Sequence, residues 1–141
     1  MKEAPFDTSP QSLFVAFYAA AEFGCFLELG WGLPVNTLDL YVEYRRIRCG
    51  VKCSGGYGLV AALDYFNLGQ HIPTEKQEWR KLAIRGGPFS SDEKQGLLDY
   101  CQQDVDATRQ LLAVMSTRVK VSQALIRGRY IQSVAKMERN G

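Results

Sequence analysis

Histidine is almost missing from this chain: His71 is the only one among 141 residues. The four cysteines, Cys25, Cys49, Cys53 and Cys101, include one close pair, the C-x3-C of "CGVKC", and no second Cys/His pair stands at finger spacing. A zinc site would have to recruit Cys25 or Cys101 from predicted helices, so free thiols are the better reading and no zinc is expected. Free thiols suit a reducing, cytoplasmic compartment. Long apolar runs are lacking as well. The longest early uncharged stretch, Thr8 to Ala21, is too short to span a bilayer and ends at Glu22. With no basic n-region, apolar h-region and cleavage site, no signal peptide is read and no membrane partner is expected. There is no internal repeat and no low-complexity segment. The glycines of "VKCSGGYG" lack a strand–loop–helix context and no GK[ST] follows, which argues against a phosphate-binding loop.

What is present describes one modest globular domain. The chain is 46% hydrophobic and 23% charged, a balance that argues against disorder. The net charge of +2 is unevenly spread. Residues 111–141 hold six basic groups (Arg118, Lys120, Arg127, Arg129, Lys136, Arg139) against Glu138, while residues 1–110 are net acidic. A basic tail behind an acidic body can meet phosphate, with Arg127, Arg129 and Lys136 as candidate contacts; a solvated helix face is the simpler alternative.

Periodicity and turn chemistry place the elements. Leu13 to Phe17 suits a buried strand, and Ala19 to Leu29 reads as a helix closed by Gly30. Asn36 or Thr37 is expected to cap a helix from about Leu38 to Arg48, with Asp39 in its first turn near the positive dipole end. Further helices are expected over "YGLVAALDYFNLG", stopped by Gly69, and over "TEKQEWRKLAIRG", with Thr74 as a possible cap. Ser90 and Glu93 form an S-x-x-E capping box, so a long helix should begin near Ser91. A last basic helix should run from Val119 to Arg139 with Gly128 in its middle.

Two acids then stand out. On the long helix, Leu97, Leu98, Cys101, Val105, Thr108, Leu111, Leu112 and Met115 fall on one broad arc at 100° per residue. Asp104 falls inside that arc, more than three turns from the helix start, and so is not a cap. Glu22 shares a face with Cys25, Phe26 and Leu29 at i+3, i+4 and i+7. An ionised carboxylate facing a core must be paired with a cation or bound to a metal, and the sequence leaves both open.

"YCQQDV" has the Y-x3-D form of the third motif of DEDD-type 3′–5′ exonucleases of the tyrosine branch. Trp79–Arg80, Pro88, Ser90-x-x-Glu93 and Leu97 precede it in a similar order. "FVAFYAAAEFGC", "LDLYVEYR", "GYGLVAALDYFNLG" and the terminal "ALIRGRYIQSVAKMERNG" extend the likeness over nearly the whole chain. The chain resembles the proofreading-type exonuclease region of bacterial and phage family A, DNA polymerase I-like proteins. The resemblance implies an α/β, ribonuclease H-like exonuclease fold, here incomplete and mostly helical with a few residual strands. It implies that Asp104 ligates a divalent metal, Mg or Mn, and that Tyr100 orients the attacking water. Glu22 takes the place of the second-motif aspartate as a weaker ligand, in Tyr18-x3-Glu22 where the family has N-x3-D. Asp39 matches a frequent acid that supports or caps. The implied chemistry is two-metal hydrolysis of 3′-terminal phosphodiesters in single-stranded or frayed DNA.

One motif is lacking. The first motif, D-x-E, supplies two of the four carboxylates, and "MKEAPFDTSPQS" contains none. The chain is therefore expected to be a fragment: residues 1–116 a partial exonuclease domain, residues 117–141 a basic helix leading toward a polymerase domain. Weak or absent nuclease activity is expected of it alone. Two alternatives remain: a non-catalytic nucleic-acid-binding module, and a ribonuclease D-like RNA exonuclease.

Overall fold

A computed structural model describes residues 3–52, 55–69 and 76–141. The elements run β1 (Phe14–Ala16), α1 (Ala19–Leu29), β2 (Thr37–Asp39), α2 (Leu40–Ile47), α3 (Leu59–Tyr65), α4 (Lys76–Arg85), α5 (Ser91–Met115), a 3₁₀ turn (Ser116–Arg118) and α6 (Val121–Asn140). The fold is mixed α/β and mostly helical. The two strands among the described residues are parallel, with Phe14 opposite Thr37, Val15 opposite Leu38 and Ala16 opposite Asp39. Parallel strands need a crossover, and α1 provides it.

Side chains alternate across the strands, so the sheet is covered on both faces. Phe14 and Ala16 join Ala19, Phe23, Phe26 and Ala135 in a core shared with α1 and α6. Val15 and Phe17 face the other way, onto Leu38, Leu40, Tyr44, Leu111 and Met115. Burial of each large apolar side chain contributes about 1.5–3 kcal/mol. Phe6 adds a ring to the first core, packing 5.2 Å from Phe26 and 5.9 Å from Trp31 between centroids.

Helix ends follow local chemistry. Gly30 takes a left-handed conformation at φ +75°, and the Gly30 and Trp31 amides donate to Leu27 and Phe26, which closes α1 where the sequence predicts. The capping box opens α5: the Glu93 amide donates to Ser90 Oγ at 3.1 Å and the Ser90 amide to Glu93 Oε2 at 2.8 Å. Two boundaries differ from expectation. α2 is capped by Asp39, because Thr37 and Leu38 are drawn into β2 and Asn36 turns its amide to the Pro10 carbonyl. α3 stops before Gly69, because Asn67 takes the left-handed turn at φ +56° and Leu68 donates back to Leu63. The expected cap Thr74, along with Cys53 and His71, lies outside the described residues.

Close approach explains two glycines. Trp79 of α4 occupies the space where a side chain at Gly96 of α5 would stand. Gly128 sits against the Thr37 backbone, which lets α6 lie directly on β2, with Ala124 and Ala135 buried on the same side. α6 is thus packed into the body of the fold. Among the described residues, no helix is long and apolar enough to cross a membrane.

Candidate active site at the strand ends

Asp39 closes β2 and opens α2, and it also serves a second helix. Its Oδ1 accepts from the Tyr41 amide at 2.9 Å and the Tyr18 amide at 3.0 Å, and its Oδ2 accepts from the Ala19 amide at 3.0 Å. One carboxylate thereby satisfies orphan donors at the starts of both α1 and α2. These bonds hold Tyr18 in a left-handed conformation, φ +73°, at the corner between β1 and α1. Burial pushes the Asp39 carboxyl above the ordinary aspartate value, and the backbone amides of Tyr18, Ala19, Tyr41 and Val42 pull against that rise.

Glu22 stands in the first turn of α1, beside this hub. Its Oε2 is buried, without a hydrogen-bond partner among the described residues. Burial raises its carboxyl above the ordinary value; its own backbone amide opposes the rise, and the Asp39 charge adds to it. A buried oxygen left unpaired costs about 1–3 kcal/mol. The two acids lie near the C-terminal ends of β1 and β2. Periodicity groups Glu22 with Cys25, Phe26 and Leu29, yet only Phe26 is buried, because the packed side of α1 runs through Ala19, Ala20, Phe23 and Phe26. Glu22 sits at the margin of that side.

On α5 the inward stripe is rotated from the predicted arc. Leu98 and Val105 are 64% and 59% exposed, and Cys101 is exposed too. From Gly96 onward the covered positions are Gly96, Leu97, Tyr100, Asp104, Ala107, Thr108, Leu111, Leu112, Val114 and Met115, most of them spaced by threes and fours. Tyr100 and Asp104 therefore share the covered side, one turn apart and both half-buried. The Thr108 hydroxyl donates to the Asp104 carbonyl at 2.8 Å.

One buried acid escaped sequence reasoning. Glu43 of α2 is 1% exposed and accepts from Arg127 Nε at 2.6 Å, Arg127 Nη2 at 2.9 Å and Arg46 Nε at 3.0 Å. Arg46 also donates to the Arg118 carbonyl at 2.7 Å, so the cluster ties α2 to α6 and to the turn before it. A signal was available: Glu43 follows Leu40 by three residues and precedes Ile47 by four. Arg127, a candidate phosphate contact, is thus engaged inside the protein, whereas Arg129 and Lys136 are exposed.

A glutamate oxygen without a partner is the kind of donor a hard divalent cation takes. Asp39 is less suited, since both its oxygens already accept backbone amides. Among the described residues, no group of three or more acidic, cysteine or histidine side chains is arranged to hold a metal ion, so Asp104 does not join Glu22 and Asp39 in such a group. Cys25, Cys49 and Cys101 are free, exposed thiols. Comparison with protein-family models, curated proteins and solved structures finds no match to this chain.

Proposed function

We propose that the chain is part of the 3′–5′ exonuclease region of a DNA polymerase I-like protein, an incomplete ribonuclease H-like domain that acts on single-stranded or frayed 3′ ends. The motif order around Tyr100 and Asp104 suggests the reading. The observation that carries it is the buried Glu22 Oε2, without a hydrogen-bond partner among the described residues, near the ends of two parallel strands.

In this reading, which follows the motif resemblance, Glu22 and Asp104 would each supply a carboxylate to a divalent ion, Mg or Mn, that would acidify water and offset charge on the phosphate; among the described residues the two join no three-acid group. Tyr100, one helical turn before Asp104, donates a hydrogen bond that orients the attacking water. Asp39 fixes the corner that carries Tyr18 and Glu22, and its negative charge strengthens the pull of Glu22 on a cation. The first-motif carboxylates have no counterpart here, so the isolated chain binds metal weakly and cleaves poorly.

Calorimetric titration with Mn²⁺ tests this. Weak binding by the natural chain, lost in both Glu22→Gln and Asp104→Asn, is expected. Identical isotherms for all three proteins contradict it, as does robust degradation of single-stranded DNA by the isolated chain. A non-catalytic nucleic-acid-binding module is the second reading, favoured by the lack of a three-acid group among the described residues.

A further inference from the structure

We infer that the outer face of α2, together with the turn Ser116–Arg118, is a track for single-stranded DNA that leads to the carboxylates at the strand ends. The inference rests on the nucleic-acid reading above and moves the contact surface away from the basic tail.

Tyr41, Arg45 and Arg48 follow one another at i, i+4 and i+7, on one side of α2 and its end. The Arg45 guanidinium lies 5.6 Å from the Tyr41 ring centroid and 5.5 Å from that of Tyr57. Arg48 lies 4.4 Å over Tyr65. From the neighbouring turn, Arg118 lies 5.5 Å from the Phe66 centroid and donates to the Tyr65 hydroxyl at 3.4 Å. The row continues toward the site, because the Tyr41 and Tyr18 rings meet edge to face at 5.2 Å. Tyr18 is half exposed and opens the helix that carries Glu22.

A cation–π contact holds a guanidinium beside a ring and leaves N–H groups able to meet phosphate oxygens. Arg45 and Arg118 are exposed, and among the described residues neither has a carboxylate within ion-pair distance. Lys52 and Lys120 add exposed positive charge on the segments that continue α2 and precede α6. Asp64, the carboxylate of α3, lies against Gly69. Compensation of the α2 dipole accounts for basic residues at its last turn. It does not account for Arg118 on another element, nor for aromatic rings alternating with the cations. A single strand needs cations for its phosphates and open ring faces for its bases, and the exposed rings along this row are Tyr18 and Tyr65.

The test is fluorescence anisotropy of a labelled oligodeoxythymidylate against salt, with the full chain. Arg45→Ala/Arg118→Ala is expected to weaken binding about tenfold and to flatten the log–log salt slope by about 1.4, at roughly 0.7 for each phosphate of a single strand that is no longer neutralised. Arg45→Lys/Arg118→Lys should keep the slope and lose part of the affinity, since lysine retains charge but not the forked guanidinium donors. Arg129→Ala/Lys136→Ala should change neither. If circular dichroism shows the alanine pair unfolded, the lysine pair decides: unchanged affinity there overturns the inference. Loss of binding in the tail pair with the track pair intact also overturns it, and leaves the exonuclease reading standing. Equally tight binding of polyglutamate overturns it by marking a general anion surface. No binding by the natural chain at low salt overturns the nucleic-acid reading itself, and the track with it.

Discussion

Gly128→Ala and Gly24→Ala make the same chemical change in the interior of two helices, and the packing predicts opposite signs. An alanine Cβ at Gly128 would overlap the Thr37 carbonyl oxygen and stand 2.9 Å from its carbon and 3.0 Å from the Thr37 Cβ. The obstacle is backbone, so no rotamer change relieves it, and α6 must retreat from β2. Overpacking of this kind costs about 1–3 kcal/mol. Retreat by even part of an ångström also weakens the dispersion attraction of Ala124 and Ala135 for their neighbours by about a quarter to a half. Against this stands about 1 kcal/mol of helix propensity gained. The net expectation for Gly128→Ala is a destabilisation of about 2 kcal/mol. At Gly24 an added Cβ meets nothing within 4 Å among the described residues, so only the propensity gain remains and stability should rise by about 0.5–1 kcal/mol. Urea unfolding followed by far-ultraviolet circular dichroism reads both, with unchanged m-values indicating that the unfolded states are comparable. A Gly128→Ala protein as stable as the natural chain would refute the direct seating of α6 on β2.

Two further outcomes follow from the buried acids. Arg127→Ala should cost about 3 kcal/mol, the low end for breaking a buried pair, because Arg46 still holds one oxygen of Glu43; a change below about 0.5 kcal/mol in the same unfolding assay would contradict the cluster. For Glu22 the folded-state carboxyl lies above its ordinary value of 4.5. Its penalty is therefore absent below that value and grows as pH rises through the folded-state titration. Glu22→Gln should raise the melting temperature at pH 7 and lose that advantage in acid; an advantage independent of pH would count against a buried, ionising Glu22.

Much of the local structure was legible in the sequence. The bounds of α1 and the capping box of α5 depend on chemistry within four residues, and both appear where the pattern places them. Asp39 was legible as a cap, but its reach to the Tyr18 and Ala19 amides was not, since those lie some twenty residues away. Glu43 was missed for the same reason: its main partner, Arg127, is 84 residues distant. The α5 arc was misjudged because an apolar residue need not face inward. α2, α3 and α4 cover only a narrow sector of that long helix, and Leu98, Cys101 and Val105 fall outside it. The engagement of Arg127 was not legible, because charge counted along the chain does not distinguish an arginine held by a buried glutamate from one facing solvent, as Arg129 and Lys136 do.

The most direct test of the central claim is where a DNA 3′ end comes to rest. An oligonucleotide with a photoreactive 5-iododeoxyuridine at its 3′ terminus would be irradiated with the chain and the adducts mapped by mass spectrometry. The account predicts adducts at Tyr18 or on the α5 segment that holds Tyr100, moving toward Tyr65 when the photoreactive base is shifted to the 5′ end. Adducts that ignore which end is labelled, or that fall on the exposed Ile126 and Tyr130 of α6, would contradict it.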